Sequence, residues 1–185
     1  MNITVRRLTT PELTDAETEA VRRILWAAFD NPEDPEEAMT EEDWDHALGG
    51  VHVLLETEGE IVGHASVVER ELHVDGRPLR AGYVEAVAVD PAHQGSGLGS
   101  RLMAEIDAVI VERFELGALG TGSPPFYERL GWLRWAGPTF VRTLAGLQRT
   151  EEDDDGIMVL PTPRTPADID RTTPISCDWR PGDVW

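Results

Sequence analysis

The chain of 185 residues is long enough for one well-cored domain and short for two, so we expect a single domain over 1–185. Its 35 acidic residues against 16 basic ones give a net charge of −19, and every basic residue is an arginine. This balance argues against binding nucleic acid or anionic lipid, both of which need a basic surface, and it favours cationic partners. With Cys177 as the only cysteine, an internal disulfide is excluded and a metal site is not expected.

The acidic residues are clustered along the chain. Residues 30–45 hold nine carboxylates and no arginine, and 151–155 is an unbroken acidic run. Such runs usually form solvated loops that aid solubility, but they can also frame a site for a polycation. Residues 1–5 contain no apolar signal core, and no run approaches the roughly 18 apolar residues of a membrane helix. We therefore expect a cytoplasmic protein without a membrane partner.

The first 50 residues predict one strand and two helices. Residues 5–8 form the first strand, and the spacing of Thr14 and Glu17 is typical of a capping box. The helix that follows should end near Phe29, and its apolar residues recur on one face: Ala20, Val21, Ile24, Leu25 and Ala28. A proline-containing loop comes next. A second capping pair, Thr40 and Asp43, predicts a short helix through Leu48 that Gly49 and Gly50 terminate.

Two turn signals then predict an antiparallel meander of three or four strands. Asp75-Gly76 is a dipeptide that type I′ hairpin turns favour, and Glu58-Gly59 reads in the same way. The predicted strands are 51–56, 61–68, 69–74 and 79–89.

A glycine-rich stretch leads into the next helix, whose apolar residues follow a 3.6-residue period: Leu98, Leu102, Ile106, Val109 and Ile110. Residues 116–119 predict a strand parallel to its predecessor if the helix is a crossover. A short helix over 124–130 should follow, with Gly131 as its C-cap. The late strands are predicted at 132–135 and 157–160. Residues 161–185 are rich in proline, and we expect an irregular tail packed on the body.

The segment from Gln94 to Gly99 is the strongest local signal for chemistry. A strand, a glycine-rich turn and a helix N-terminus together present backbone N–H groups to an anion, although an ordinary tight turn is the alternative. The glycine spacing differs from that of a dinucleotide-binding Rossmann motif. Because the chain has no lysine, a Walker A loop is excluded.

Two segments resemble landmarks of the GCN5-related N-acetyltransferase (GNAT) family. Val87-Ala88-Val89 followed by Gln94-x-x-Gly97-x-Gly99 is similar to its acetyl-CoA signature, and residues 126–132 are similar to its tyrosine-bearing helix and strand. The resemblance implies an α/β (α+β) GNAT fold: a mixed, mostly antiparallel central sheet flanked by helices, with the acetyl-CoA cleft between two parallel central strands. The implied acetyl-CoA-binding residues are Val87, Ala88, Val89, Gln94, Gly95, Ser96, Gly97, Leu98 and Gly99.

The same resemblance implies direct acetyl transfer from acetyl-CoA to an amine. Glu85 is the candidate base, acting through an ordered water, because it lies on the strand that carries the pantetheine contacts. A polar strand residue or a substrate anchor is the alternative for Glu85. Tyr127 is the candidate acid that donates to the departing thiolate, and a tyrosine that only covers the core is the alternative.

Further segments resemble the aminoglycoside 2′-N-acetyltransferases of that family, nearly from end to end. They are 43–52, 82–89, 116–119, 135–139, 153–156 and 177–185. Aminoglycosides carry several ammonium groups, which suits the acidic charge of this chain. The implied substrate contacts are Asp43, Glu85, Ala86, Gly120, Asp154, Asp183 and Trp185, the last through its α-carboxylate.

The sequence departs from the family pattern in two loops. The loop over 31–39 is longer, and Glu36 or Glu37 is the candidate replacement for an acid expected there. Residues 120–125 replace a serine- and arginine-rich stretch. A homodimer is a further implication of the family. Two rival hypotheses stay open: an acetyltransferase for another amine, such as a cell-envelope amino sugar or a polyamine, and a non-catalytic acidic domain that binds cations or acyl-CoA.

Overall fold

The computed structural model describes residues 2–30 and 38–185, so residues 31–37 of the predicted loop, with Glu36 and Glu37, lie outside the described residues. The chain divides into two compact units. The first unit comprises Met1–Val68 and Val84–Ile106, and the second comprises Glu69–Tyr83 and Asp107–Trp185. The single domain expected from the sequence stays a prediction. Within the described residues, no helix is both long and apolar enough to cross a membrane.

The first unit contains, wholly or in part, the strands and helices β1 (Ile3–Thr9), α1 (Asp15–Ala28), α2 (Glu41–His46), β2 (Val51–Thr57), β3 (Glu60–Val74), β4 (Arg77–Val89) and α3 (Leu98–Arg113). Its ladders join β1 to β2 and β2 to β3, both antiparallel. Two strands and one helix continue from one unit into the other: β3, β4 and α3.

Both predicted capping boxes are confirmed. The Thr14 hydroxyl accepts from the Glu17 amide at 3.2 Å, and the Glu17 carboxylate accepts from the Thr14 amide at 2.8 Å. Helix α1 then buries Val21, Ile24 and Leu25, as its periodicity predicts. Helix α2 has the same box but ends at His46 rather than at the predicted Leu48.

Both predicted hairpin turns are confirmed as well. The φ angles are 53° at Glu58 and 85° at Gly59, and 48° at Asp75 and 76° at Gly76, as type I′ turns require. The residues predicted as separate strands, 61–68 and 69–74, form one long strand, β3.

The second unit is built mainly from short strands, and its further elements are β5 (Leu116–Gly120), α4 (Pro124–Glu128), β6 (Leu133–Arg134), β7 (Thr139–Thr143), β8 (Gly146–Arg149), β9 (Ile157–Pro161) and β10 (Ile175–Asp178). The predicted parallel pairing is confirmed, because β4 pairs in parallel with β5 over residues 81–83. Strand β9 pairs antiparallel with β5 and with β6. Helix α4 ends at Glu128, two residues before the predicted end, and Gly131 follows with a φ of 93°.

The prediction of an irregular tail is wrong for β10. This strand pairs in parallel with β7 and antiparallel with β3, so the segment after 161 forms part of a sheet. Its partners lie far away in sequence, and four residues are too few for a clear period-2 pattern. The strands β7 and β8 were also not predicted, because the apolar residues of β7 are adjacent rather than alternating and all four residues of β8 are exposed. The expectation of a mixed, mostly antiparallel sheet is confirmed.

Candidate active site

The glycine-rich loop of the first unit has the backbone of an anion cradle. Gly95 and Gly97 have φ angles of 73° and 82°, in the left-handed region that favours glycine. Helix α3 begins directly afterwards at Leu98, and the first four N–H groups of a helix have no acceptor inside that helix. The Gln94 side chain donates to the Val89 carbonyl at 3.2 Å and so ties the loop to β4. The residues present therefore fit a pyrophosphate group.

Strand β4 departs from regular geometry at Ala86. This residue has a φ of 51°, which costs a non-glycine residue about 1–3 kcal/mol. Side chains normally alternate between the two faces of a strand. Here Glu85, Ala86 and Val87 are all half-buried in succession, whereas Ala88 is buried. The left-handed residue therefore re-aims the side chains around the candidate base.

A chain of hydrogen bonds through two buried histidines ends at Ala86. His64 Nδ1 lies 2.8 Å from the Ala86 carbonyl oxygen, His52 Nδ1 lies 2.9 Å from His64 Nε2, and the Thr10 hydroxyl lies 2.8 Å from His52 Nε2. The Gly49 amide donates to that hydroxyl at 2.8 Å. Both histidine side chains are completely buried. Burial lowers the pKa of His52 to about 4 and that of His64 to about 3, so both rings are neutral near pH 7.

The direction of each bond in this chain follows from its last acceptor. A carbonyl oxygen only accepts, so His64 carries its proton on Nδ1 and accepts at Nε2. His52 must then donate from Nδ1 and accept at Nε2, and the Thr10 hydroxyl donates to it. Every donor in the chain from Thr10 to Ala86 therefore has an acceptor, which is how a buried polar group avoids its desolvation cost.

One carboxylate oxygen of Asp43, a further predicted substrate contact of the first unit, is occupied by the capping box of α2. Its carboxylate accepts from the Thr40 amide at 2.9 Å and from the Thr40 hydroxyl at 2.7 Å, both through Oδ2. The neighbouring Trp44 is buried, with its ring 6.3 Å from the His52 ring and 6.1 Å from the His64 ring. Helix α2 therefore packs Trp44 against the histidine pair and leaves Oδ1 of Asp43 outside the capping box.

In the second unit, the C-terminal segment is docked rather than frayed. Trp185 is only 4% exposed, and its indole N–H donates to the Thr150 hydroxyl at 3.1 Å. Arg70 donates to the Val184 carbonyl at 2.8 Å, and Arg180 donates to the Asp183 carbonyl at 2.7 Å and to Trp185 O at 3.4 Å. Termini usually fray unless contacts hold them, and these contacts hold this one.

Gly120 lies against the docked segment. A Cβ atom at this position would lie 3.3 Å from the main-chain carbon of Trp185 and 3.4 Å from the Tyr83 hydroxyl. Any larger residue would force one of these neighbours to shift. The structure therefore brings together two predicted substrate contacts, Gly120 and Trp185.

Asp154 is already compensated by protein groups. Its carboxylate forms an ion pair with Arg149 and accepts from the Thr139 amide at 3.1 Å. The Arg149 hydrogen bond is the main cause that lowers the pKa of Asp154 to about 2. The neighbouring Asp153 behaves in the opposite way, because burial raises its pKa to about 6, with a smaller contribution from the Asp183 charge.

Tyr127 lies on α4 with its ring edge-on to Phe126 and Trp132, at centroid distances of 4.9 and 6.2 Å. Only 9% of the residue is exposed, and burial raises the pKa of its hydroxyl to about 12. The phenol therefore keeps its proton throughout the range in which enzymes are assayed, as a hydrogen-bond donor must.

Sequence reasoning missed several residues that hold these groups in place: Thr10, His64, Thr139, Arg149 and Thr150. One signal for His64 was present, because it lies inside an apolar strand sequence, as His52 does, and a buried polar residue needs a polar partner. The partner of Asp154 had no comparable local signal.

Comparisons with known proteins agree with this description. A family model described as an acetyltransferase (GNAT) domain matches residues 9–134. The chain is 41% identical over 186 residues to an aminoglycoside 2′-N-acetyltransferase of Mycolicibacterium fortuitum, covering 98% of this chain and 92% of the relative.

Solved structures show the same fold at low identity. The GNAT family N-acetyltransferase YhbS from Escherichia coli, in complex with CoA, has a TM-score of 0.66 and 16% identity, covering 95% of this chain and 89% of the other. Eis1 from Mycobacterium abscessus has a TM-score of 0.60 and 20% identity, covering 75% of this chain. This chain spans only 33% of Eis1. The expected fold class is thereby confirmed.

Proposed function

This chain belongs to the GNAT acetyltransferase family, and on that premise we propose that it transfers an acetyl group from acetyl-CoA to the 2′-amino group of an aminoglycoside. The observation that carries the choice of substrate is the similarity to an aminoglycoside 2′-N-acetyltransferase over nearly the whole of both chains. The net charge of −19 supports a substrate with several ammonium groups.

The first unit supplies the groups for the donor. Pantetheine forms hydrogen bonds with the main chain of Val87, Ala88 and Val89, as an added strand would. The backbone amides from Gln94 to Gly99 bind the pyrophosphate. The positive φ angles of Gly95 and Gly97 and the start of α3 at Leu98 support this assignment. Acetyl-CoA supplies an activated acetyl group as its thioester.

Glu85 acts as the base in this proposal. A carboxylate with a pKa of about 4 is a poor base for an ammonium group with a pKa of about 8–9, so Glu85 works through an ordered water on an amine that has lost its extra proton. A main-chain N–H of β4 stabilises the charge on the thioester oxygen. The buried, protonated Tyr127 donates to the departing thiolate.

The second unit supplies acidic groups for the substrate. We assign Asp183 and the α-carboxylate of Trp185 to ammonium groups, together with the main chain at Gly120. The charge of Asp154 is already compensated by Arg149. Asp154 therefore binds a substrate ammonium only through carboxylate lone pairs that the ion pair does not use. In the first unit, Asp43 contributes through Oδ1, and Ala86 contributes through its main chain.

A cytoplasmic location and a homodimer belong to the same proposal. Sedimentation velocity on the purified chain tests the dimer, and a single species at the monomer mass of 20.5 kDa would contradict it.

The decisive experiment measures thiol release from acetyl-CoA with two matched sets of aminoglycosides. One set carries an amine at the 2′ position, and the other carries a hydroxyl there. We expect turnover with the first set only. Turnover with both sets contradicts the 2′ position, and turnover with polyamines or amino sugars alone favours an acetyltransferase for another amine. No turnover with any amine favours the non-catalytic acidic domain.

A further inference from the structure

The buried pair of His52 and His64 takes no part in the mechanism proposed above. Burying their polar ring nitrogens costs desolvation free energy, so the pair needs a physical reason. Two imidazole rings in an apolar strand pair must find partners for four nitrogen atoms. All four nitrogens are within 2.9 Å of a partner, and the last partner is the carbonyl of Ala86. A hydrophobic pair would fill the same space without this requirement.

The pair donates a hydrogen bond to Ala86, the one residue of β4 that has a positive φ angle. Alanine has no intrinsic preference for a φ of 51°, so surrounding contacts must hold it there. The His64 N–H is a buried, fixed donor aimed at the Ala86 carbonyl, whose direction changes if the backbone relaxes to a regular strand. Glu85 precedes this residue, and Val87 follows it.

We propose that His64, with its tautomer set by His52 and Thr10, is a positioning residue that holds the left-handed backbone at Ala86 and thereby aims Glu85. This inference rests on the proposed function, because Glu85 has a task only if the chain transfers an acetyl group. His64 itself contacts neither acetyl-CoA nor the amine substrate. Its effect on catalysis passes through the Ala86 carbonyl.

A purely structural role makes a different prediction. If the pair only fills the core, any substitution of similar size lowers stability and leaves the chemistry of the folded enzyme unchanged. If His64 positions Ala86, the loss of its Nδ1 donor lowers kcat even well below the melting temperature. A displacement of about 1 Å can cost up to a hundredfold in rate.

Two amide variants separate these roles. In His64→Asn, the side-chain amide lies where Nδ1 was and can still donate to the Ala86 carbonyl. In His64→Gln, the amide lies where Nε2 was, so it keeps the contact with His52 and loses the one with Ala86. We expect kcat to fall about tenfold or more in His64→Gln and to stay within about threefold of the parent in His64→Asn. Equal kcat values in the two variants overturn the proposal, whatever their melting temperatures.

Ala86→Gly provides a second test. Glycine adopts the left-handed backbone without strain, so His64 is needed less in this background. We expect the His64→Gln effect on kcat to shrink to about threefold or less when position 86 is glycine. An undiminished loss in the glycine background shows that His64 does not act through this backbone and contradicts the proposal.

A spectroscopic measurement keeps the inference independent of the reaction. The ¹³Cα and ¹³Cβ chemical shifts of Ala86 report a left-handed backbone without any substrate. We expect left-handed values in the parent and in His64→Asn, and strand values in His64→Gln. Unchanged shifts in His64→Gln overturn the inference. If the parent acetylates no amine, the proposed function fails, and these shifts still decide whether His64 holds Ala86.

Discussion

In the first unit, buried hydrogen bonds join neutral groups, whereas in the second unit the comparable network is built on an ion pair. The chain from Thr10 to Ala86 depends on which nitrogen of each ring carries a proton. The contacts of Asp154 depend instead on the charge of Arg149.

The two networks should therefore fail under different conditions. An added proton breaks the first network, because a protonated imidazole has no acceptor nitrogen. The second network survives until its carboxylate is protonated, below a pKa of about 2, but it is weakened by salt because both partners are about one-third exposed. The backbone near Glu85 thus depends on the direction of hydrogen bonds between neutral groups. The acidic loop at Asp154 depends instead on the charge of Arg149.

The assignment of chemistry to the first unit is tested most strongly by Glu85→Gln. The amide cannot accept a proton, and loss of a general base typically lowers the rate by about 10²–10⁴-fold. We expect such a fall in kcat at pH 7, with little change in the KM for acetyl-CoA. Steady-state thiol release measures both.

Glu60→Gln is the matched control, since Glu60 is an exposed glutamate at the start of β3, and its activity should equal that of the parent. A Glu85→Gln enzyme with the parent's kcat and pH–rate profile would remove Glu85 from the role of base.

The neutral pair of His52 and His64 predicts a loss of stability in mild acid. The pKa values of His52 and His64 are lowered in the folded state. Below the ordinary histidine pKa of about 6.5, the unfolded chain therefore binds more protons than the folded chain. The contribution of these two histidines to stability is therefore complete above about pH 6.5 and is lost as the pH drops towards 4. The His52 shift alone corresponds to a loss on the order of 3 kcal/mol at pH 4 or below.

Urea unfolding at pH 7, 5.5 and 4 measures this loss. In the double variant His52→Gln/His64→Gln we expect a weaker pH dependence than in the parent. The same pH dependence in the double variant and the parent would show that other groups cause the acid sensitivity.

The assignment of substrate charge to the second unit predicts a smaller and more selective effect. In Asp183→Asn, one carboxylate that we assign to a substrate ammonium becomes neutral, and a charge-assisted hydrogen bond contributes about 1.5–3 kcal/mol. We expect the KM for aminoglycosides to rise about tenfold or more while the Kd for acetyl-CoA stays constant. Steady-state kinetics and calorimetric titration with CoA measure the two quantities.

Asp168→Asn is the control, because Asp168 is a strongly exposed acid of the same unit that pairs with Arg77. If both variants raise KM equally, the effect reflects net charge rather than a contact of Asp183.

The features that sequence predicted correctly have local causes. The capping boxes at Thr14 and Thr40 and the turn at Asp75 involve residues no more than three apart, so their spacing alone identifies them. The amphipathic face of α3 and the parallel placement of β5 follow from periodicity and from the crossover rule.

The features that were missed depend on contacts between distant residues. The strand β10 pairs with a part of β3 that lies about 100 residues earlier, and its own four residues carry no clear period. The target of His64 lies 22 residues further along the chain. The position of Ala86 in the left-handed region could not be predicted, because alanine gives no signal for it and the cause is a donor on another strand.

The bond from His64 to Ala86 also places a natural reporter next to the strand assigned to the donor. Buried ring N–H protons that are hydrogen-bonded exchange slowly with water, so the Nδ1 protons of His52 and His64 should give resolved NMR resonances. A ligand that binds along Val87–Val89 should shift the His64 resonance more than that of His52, which lies one ring further away. Acetyl-CoA binding could then be followed on the unmodified protein, without a fluorophore or turnover.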